Sequence, residues 1–358
     1  MRIEFYAAIK TAEPFLPAGT VIAREQTYVH TFYKKEATAQ QPATSKEEGN
    51  LVAFSGPDFK ATFDKQSGLL TSYLYKKHEY ILNGQGPRPF FWRAPTDNDY
   101  GANLPVRLKA WKEASYQEPK AESFQVTPGS NATTIKVTYR FPQTDARWDI
   151  TYKIYASGVI KVDNRFVAEG DQAPMIPRVG LRMQLPESFT DLTYYGRGPK
   201  ENYRDRRTSQ FIGEYAIPVK DMYEPYVRPQ ENNHRTDIYW CALTDKTQRG
   251  LLLIADRTFE LNASNYPLES MDSGDTIDNG APRTEKTHHR HLTDPLPEKM
   301  VDLFIDYRMM GVGGDDSWGA TAHEPYLIRP GKENAIEYGF SLVPFDKKED
   351  YKYLIRQY

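Results

Sequence analysis

Apolar and polar residues alternate with a period of two along much of the chain. Phe59, Ala61 and Phe63 alternate with Lys60, Thr62 and Asp64. Residues 64–68, Asp-Lys-Gln-Ser-Gly, then read as a turn, and 69–75 as the return strand. The same period returns at Ile135, Val137 and Tyr139 and continues in phase at Trp148, Ile150, Tyr152 and Ile154. Residues 159–167, 179–185, 251–254, 301–307 and 336–343 carry it onward. Successive side chains of a strand point to opposite faces, so this pattern wets one face and buries the other, as in antiparallel sheets. Helical spacing is scarce, and residues 106–114 around Trp111 are the best candidate. No solenoid or propeller repeat is evident, so one large sandwich is expected.

The start of the chain reads differently. Residues 3–9 and 29–33 read as strands joined by a Pro- and Gly-containing turn at 13–19. Two strands rarely make a stable unit in water, so they are expected to close a domain begun elsewhere. Residues 34–49 hold no large apolar side chain. The expected division is therefore a partial domain over 1–35, a linker over 36–49, a sandwich over 50–345 and a tail over 346–358.

Composition narrows the function classes. The 358 residues carry 46 Lys plus Arg against 48 Asp plus Glu, a net charge of −2. A protein held on nucleic acid mainly by charge would be far more basic, so that partner is not expected. No apolar run approaches the ~20 residues of a membrane helix, and no basic-then-apolar leader stands at Met1. Nothing assigns a compartment. Cys241 is the one cysteine, which excludes an internal disulfide and a Cys-based metal site; its setting, Trp240-Cys241-Ala242-Leu243, reads as core. The 25 Tyr, 25 Pro and 23 Gly fit many short strands and turns.

Four clusters place Gly or Pro beside acid, Arg or an aromatic ring, the composition of loops that present a site on a scaffold. They are residues 90–101, with Trp92-Arg93-Ala94-Pro95-Thr96-Asp97-Asn98-Asp99, and 195–206, with Gly196-Arg197-Gly198-Pro199-Lys200-Glu201-Asn202-Tyr203. The others are 221–232, with Met222-Tyr223-Glu224-Pro225-Tyr226-Val227, and 311–319, with Gly313-Gly314-Asp315-Asp316-Ser317-Trp318. In order and spacing these runs resemble the large C-terminal domain of β-galactosidases of glycoside hydrolase family two. The resemblance implies an all-β fold, a large antiparallel β-supersandwich of mutarotase-like type, preceded by the last strands of an immunoglobulin-like sandwich. It also implies retaining hydrolysis of β-galactosides by two glutamates on a central (β/α)₈ barrel. Retention needs two carboxyls ~5–5.5 Å apart. No alternating strand–helix pattern runs along this chain, so no catalytic residue is expected in it and no turnover by it alone. The implied partners are a β-galactoside bound at the active site of the whole enzyme, the barrel, and further copies in a homo-oligomer. No cofactor or metal is expected in these residues; any magnesium or sodium of the whole enzyme would lie elsewhere.

The resemblance singles out Trp318, whose counterpart reaches into the barrel's active site and offers a ring face to the sugar. The plain alternative is a core tryptophan, which its setting between Ser317 and Gly319 does not favour. Asp315 and Asp316 are neighbours whose side chains diverge in an extended chain, so they read as fixing the glycine loop by accepting backbone N–H bonds. Asp97, Asn98, Gly101 and Asn103 fall where the resemblance implies a loop that opens and closes as sugar moves, with Gly101 as hinge. The alternative there is a buried pair of Arg93 with Asp97 or Asp99. Glu201 with Arg204, Asp205, Arg206 and Arg207 reads as a structural ion-pair network, and Glu231-Asn232 as structural. Thr287-His288-His289-Arg290-His291 reads as a hydrogen-bonded cluster, since Arg290 would repel a cation. A second function class is an autonomous carbohydrate-binding module using the sandwich's concave face. A third is a mutarotase-like enzyme working through His and Glu.

Overall fold

A computed structural model of the chain describes residues 2–28, 40–169, 175–274, 291–316, 319–329, 331 and 335–357. The chain divides into two compact units, residues 1–37 and 38–356.

The first unit is an antiparallel hairpin of β1 (Arg2–Ala8) and β2 (Val21–Tyr28). Ile3, Phe5 and Ala7 alternate with Arg2, Glu4 and Tyr6, and Arg24 lies over the Tyr6 ring at 5.4 Å. The strand expected at 29–33 lies outside the described residues. The partner of β1 is β2, whose polar run Arg24-Glu25-Gln26-Thr27 hid it from an apolar-pattern reading.

The second unit opens with a five-stranded meander: β3 (Thr44–Glu48), β4 (Leu51–Ser55), β5 (Phe59–Asp64), β6 (Leu70–Tyr75) and β7 (His78–Glu79). Thus part of the stretch expected as linker, 36–49, is strand. β3 is an exposed edge strand of Thr, Ser, Lys and Glu, held by backbone pairing to β4. Charged side chains suit an edge that must not recruit another strand.

A twelve-stranded sheet follows. Its strands are β8 (Arg88–Phe90), β9 (Ala121–Thr127), β10 (Thr133–Phe141), β11 (Ala146–Ile154), β12 (Ile160–Ala168) and β13 (Arg178–Pro186). They continue with β14 (Asp191–Gly198), β15 (Phe211–Pro218), β16 (Arg235–Thr244), β17 (Gly250–Ser264), β18 (Met300–Met309) and β19 (Ile336–Phe345). The main path runs β15-β14-β16-β17-β19-β12-β11-β10-β9. β17 branches: its first part, from Gly250 to Ala255, pairs with β19, and Glu260 to Ser264 pair with β18. β18 leads on to β13 and β13 to β8. Every pairing is antiparallel. The fold is a large antiparallel β-sandwich, as expected.

The expected helix at 106–114 is instead α2 (Leu104–Arg107) and α3 (Lys109–Tyr116), preceded by α1 (Asp97–Gly101). α4 (Tyr351–Gln357) occupies the tail. Trp111 of α3 turns into the main core, where Phe91 meets Trp111, Phe141, Trp148 and Phe166 at ring distances of 5.0, 4.9, 5.5 and 5.4 Å. Phe63 meets Tyr152 at 5.0 Å and so ties the meander to the large sheet. A smaller cluster of Trp240, Leu252, Ile254 and Phe345 packs against Tyr351 of α4. Cys241 is buried, and burial pushes its thiol well above the usual range. Among the described residues no helix is long and apolar enough to cross a membrane.

Candidate functional site

The four sequence clusters, far apart along the chain, come together: the first and second grip the glycine loop 311–314 of the fourth, and the third docks on the first. Arg93 is the centre of the junction. It is buried and grips Asp99 with two bonds, Nε to Oδ2 at 2.9 Å and Nη2 to Oδ1 at 2.7 Å. Its remaining donors reach the carbonyls of Met310 at 2.7 Å and Gly311 at 3.1 Å. Burial opposes the charge on Arg93, but Asp99 outweighs burial and holds the guanidinium above its ordinary range. Asp99 also accepts from the Thr96 N–H at 3.0 Å, while Thr96 Oγ1 accepts from the Asp99 N–H at 3.2 Å. That reciprocal cap starts α1 and fixes the carboxylate. Of the two expected pairs, Arg93 takes Asp99; Asp97 is exposed, 3.8 Å from Arg228.

Asn98 and Asp205 grip the loop further on. Asn98 Nδ2 donates to the Val312 carbonyl at 3.1 Å, and the Gly313 N–H donates to Asp205 Oδ2 at 2.7 Å. A Cβ on Gly311 would stand 2.6 Å from that same oxygen and 2.8 Å from the Ala322 Cβ, so a larger residue there would have to displace one of them. The third cluster joins through Glu231, whose N–H donates to the Ala94 carbonyl at 3.1 Å. Arg228 adds its guanidinium, 4.3 Å above the Tyr100 ring.

Gly101 ends α1 in a helical backbone, so the left-handed residue of this turn is Asn103, with φ of 54°. A Cβ on Gly319 would stand 3.2 Å from the Gly101 carbonyl oxygen, which brings the two glycines together. Asp316 accepts the Ala320 N–H at 3.2 Å, and exposed Asp315 pairs with His323 Nε2 at 2.8 Å. Ser317 and Trp318 lie outside the described residues, as do residues 287–290 of the His-rich run.

The mixed charge run is a network with separate partners. Arg206 donates to Glu201 at 2.6 Å, Arg204 to Glu260 at 3.2 Å, and Arg207 to Asp237 at 2.9 Å. Glu201 also accepts from the Tyr226 hydroxyl and, at 2.7 Å, from the Asn233 N–H.

A second buried layer escaped the sequence reading. Arg178 and Arg182 on β13 face Asp306 and Asp302 on β18. Arg178 Nε is 3.2 Å from Asp306, and Arg182 binds Asp302 with two bonds of 2.8 Å. Arg178 also reaches Glu231 at 3.2 Å and the Trp92 carbonyl at 3.1 Å. Burial pushes the Asp306 carboxyl up to about 7, with Arg178 pulling the other way. His234 Nε2 lies 2.9 Å from Glu260 nearby. The available signal was two arginines and two acids, each four apart in mostly apolar strands, hence on one face of each. Among the described residues no three His, Cys, Asp or Glu side chains converge as a metal site.

Comparison with known proteins agrees with this convergence of motifs. The family described as beta galactosidase small chain matches residues 55–342. The β-galactosidase of Priestia megaterium is 33% identical over 291 residues, covering 81% of this chain and 26% of that protein. That of Streptococcus thermophilus is 27% identical over 348 residues, covering 96% and 32%. The chain thus spans about a quarter to a third of the length of these curated relatives. Among solved structures, galactose 1-epimerase from Lactobacillus acidophilus aligns with a TM-score of 0.47 at 6% identity, covering 86% of this chain and 99% of that one. The motifs, their order and the extent of the match together show that the chain belongs to the β-galactosidase small chain family.

Proposed function

We propose that this chain supplies one wall of the galactoside site of a retaining β-galactosidase, with Trp318 as the ring that meets the sugar. Two glutamates on a (β/α)₈ barrel outside these residues perform the covalent chemistry. Asp97, Asn98, Gly101, Asn103, Asp315 and Asp316 belong to the loops proposed to border that site. The barrel and further copies of the enzyme are its protein partners, and this part needs no metal or cofactor of its own. One observation supports the reading above the others: the chain is anchored on both sides of Trp318. Arg93, Asn98 and Asp205 hold residues 310–313, and Gly319 abuts Gly101.

The test is assembly with a barrel-bearing β-galactosidase part, assayed with a chromogenic galactoside. Each part alone should be inactive and the mixture active. In the assembled enzyme Trp318→Ala should weaken kcat/KM by about tenfold or more, the value of one well-placed ring face. Strong turnover by this chain alone, or an unaffected Trp318→Ala assembly, would refute the proposal.

A further inference from the structure

We infer that this chain carries a second sugar site, a cleft beside the β8–β13 pair that takes a single neutral hexose, with Gln85, Gln184 and Glu298 bonding its hydroxyls. The cleft has a volume of about 330 Å³ and lies between β8, the end of α3, β13 and the segment that leads into β18. None of the four motif clusters lines it, and the inference rests neither on Trp318 nor on the barrel.

Its polar side chains are unspent. Gln85, Gln184 and Glu298 line the cleft, and among the described residues none of these side chains has a hydrogen-bond or ion-pair partner. The Tyr116 hydroxyl and Arg88 Nε, buried in its wall, have none either. Arg88 spends Nη2 on the carbonyls of Ser115 and Gln117, and among the described residues no carboxylate lies within ion-pair distance of it. Polar groups in this state cost stability unless water or a ligand satisfies them.

The charges select a neutral occupant. Two arginines, Arg88 and Arg182, share the lining with two carboxylates, Glu269 and Glu298. Arg182 and Glu269 are closed to a ligand, since they bind each other at 2.6 and 2.8 Å and Arg182 also holds Asp302 at 2.8 Å. What remains is one cation and one carboxylate, so an anion would meet Glu298 and a cation would meet Arg88. A hydroxyl meets both demands, because it donates to a carboxylate or amide oxygen and accepts from an amide or guanidinium N–H.

Size and floor select one sugar ring. Met183, Pro267 and Met300 are buried and give an apolar floor for the C–H side of a pyranose. A volume at the low end of small-ligand pockets suits one ring rather than a chain. Among the described strands β8 pairs with β13 alone, but its three residues are too few to hold a peptide as an added strand.

Methyl NMR of the full chain with labelled methionine tests this, because Met183 and Met300 report from the floor of the cleft. Galactose and glucose are titrated separately, with inorganic sulfate and free leucine as comparators. At least one hexose should shift the Met183 and Met300 methyls saturably in the millimolar range, and leave that of Met310, beside the glycine loop, in place. Its affinity should change by less than about twofold between about 50 and about 500 mM salt. Gln85→Ala with Gln184→Ala should weaken it about tenfold. Glu298→Ala should weaken it several-fold, and Glu298→Gln, which keeps an acceptor, should recover part of the loss. These side chains have no protein partner, so the variants should keep the parent Tm. Trp318→Ala should leave the titration unchanged, which separates this site from the galactoside site. Absence of these shifts with both hexoses at about 100 mM, an unaffected double variant, or an affinity that falls several-fold with salt overturns the inference. Sulfate or leucine binding more tightly than the hexoses would overturn it in favour of an ionic ligand.

Discussion

Arg93 joins stretches of chain 217 residues apart through its bond to the Met310 carbonyl. The energetics of such a group are asymmetric. Removing the arginine leaves Asp99 buried without its counter-charge, which costs about 3–5 kcal/mol. Arg93→Met should therefore lower stability by that order in urea unfolding; a loss below about 1 kcal/mol would show that the pair is dispensable. Asp205 acts more locally. Asp205→Ala removes the acceptor of the Gly313 N–H, so hydrogen exchange at that amide should quicken by about tenfold, with little change in the strands. The sequence pointed to the Arg93 pair but left Asp97 and Asp99 as equal partners. What decides is the cap: Asp99 is the third residue of α1, where a carboxylate turns back to the Thr96 N–H and meets the guanidinium on the way.

Strands were legible where one face is wet. β5, β10, β11 and β12 alternate buried with exposed or half-buried residues along most of their length, and apolar period alone finds them. β16 runs almost wholly buried, and its Arg235-Thr236-Asp237 opening shows no alternation. The second cluster begins inside β14, because Gly196 and Gly198 resemble a loop in sequence. Yet a Cβ on Gly196 would stand 2.4 Å from the Ile238 side chain, so that glycine serves close packing between strands. Gly180 of β13 is tighter still. A Cβ there would lie 1.7 Å from Asp306 Oδ1, so the acid side chain occupies the space that the glycine leaves. Gly180→Ala should destabilise by about 3 kcal/mol, read as a lowered midpoint in denaturant, because neither the strand nor the buried Asp306 can give way. An unchanged midpoint would mean that Asp306 has a second resting place.

At the scale of the whole molecule, Asp306 gives stability a dependence on pH. Its carboxyl titrates at about 7 when folded, against 3.8 ordinarily. Between those values the folded chain keeps a proton that the unfolded chain has released. This contribution is fully present below pH ~4 and is lost as the pH rises through ~7, on the order of 1 kcal/mol per pH unit within that window. Glu269, Asp245 and Asp346 are held below their usual range and act in the opposite sense. The measurement is thus the difference between the parent and Asp306→Asn, which should shrink as the pH falls from 7 toward 4 if the parent alone gains from protonation. The sandwich class was legible in the sequence; the meeting of the four clusters was not, because it depends on long-range strand order. That order also bears on how the molecule is made. β19 sits between β12 and β17 and pairs with both. While the ribosome has yet to deliver residues 336–345, β12 and the first part of β17 each expose an unpaired edge, and the two halves of the sheet cannot close. Both edges stay open and sticky until residues 336–345 emerge, and this is the interval in which a chaperone would matter most.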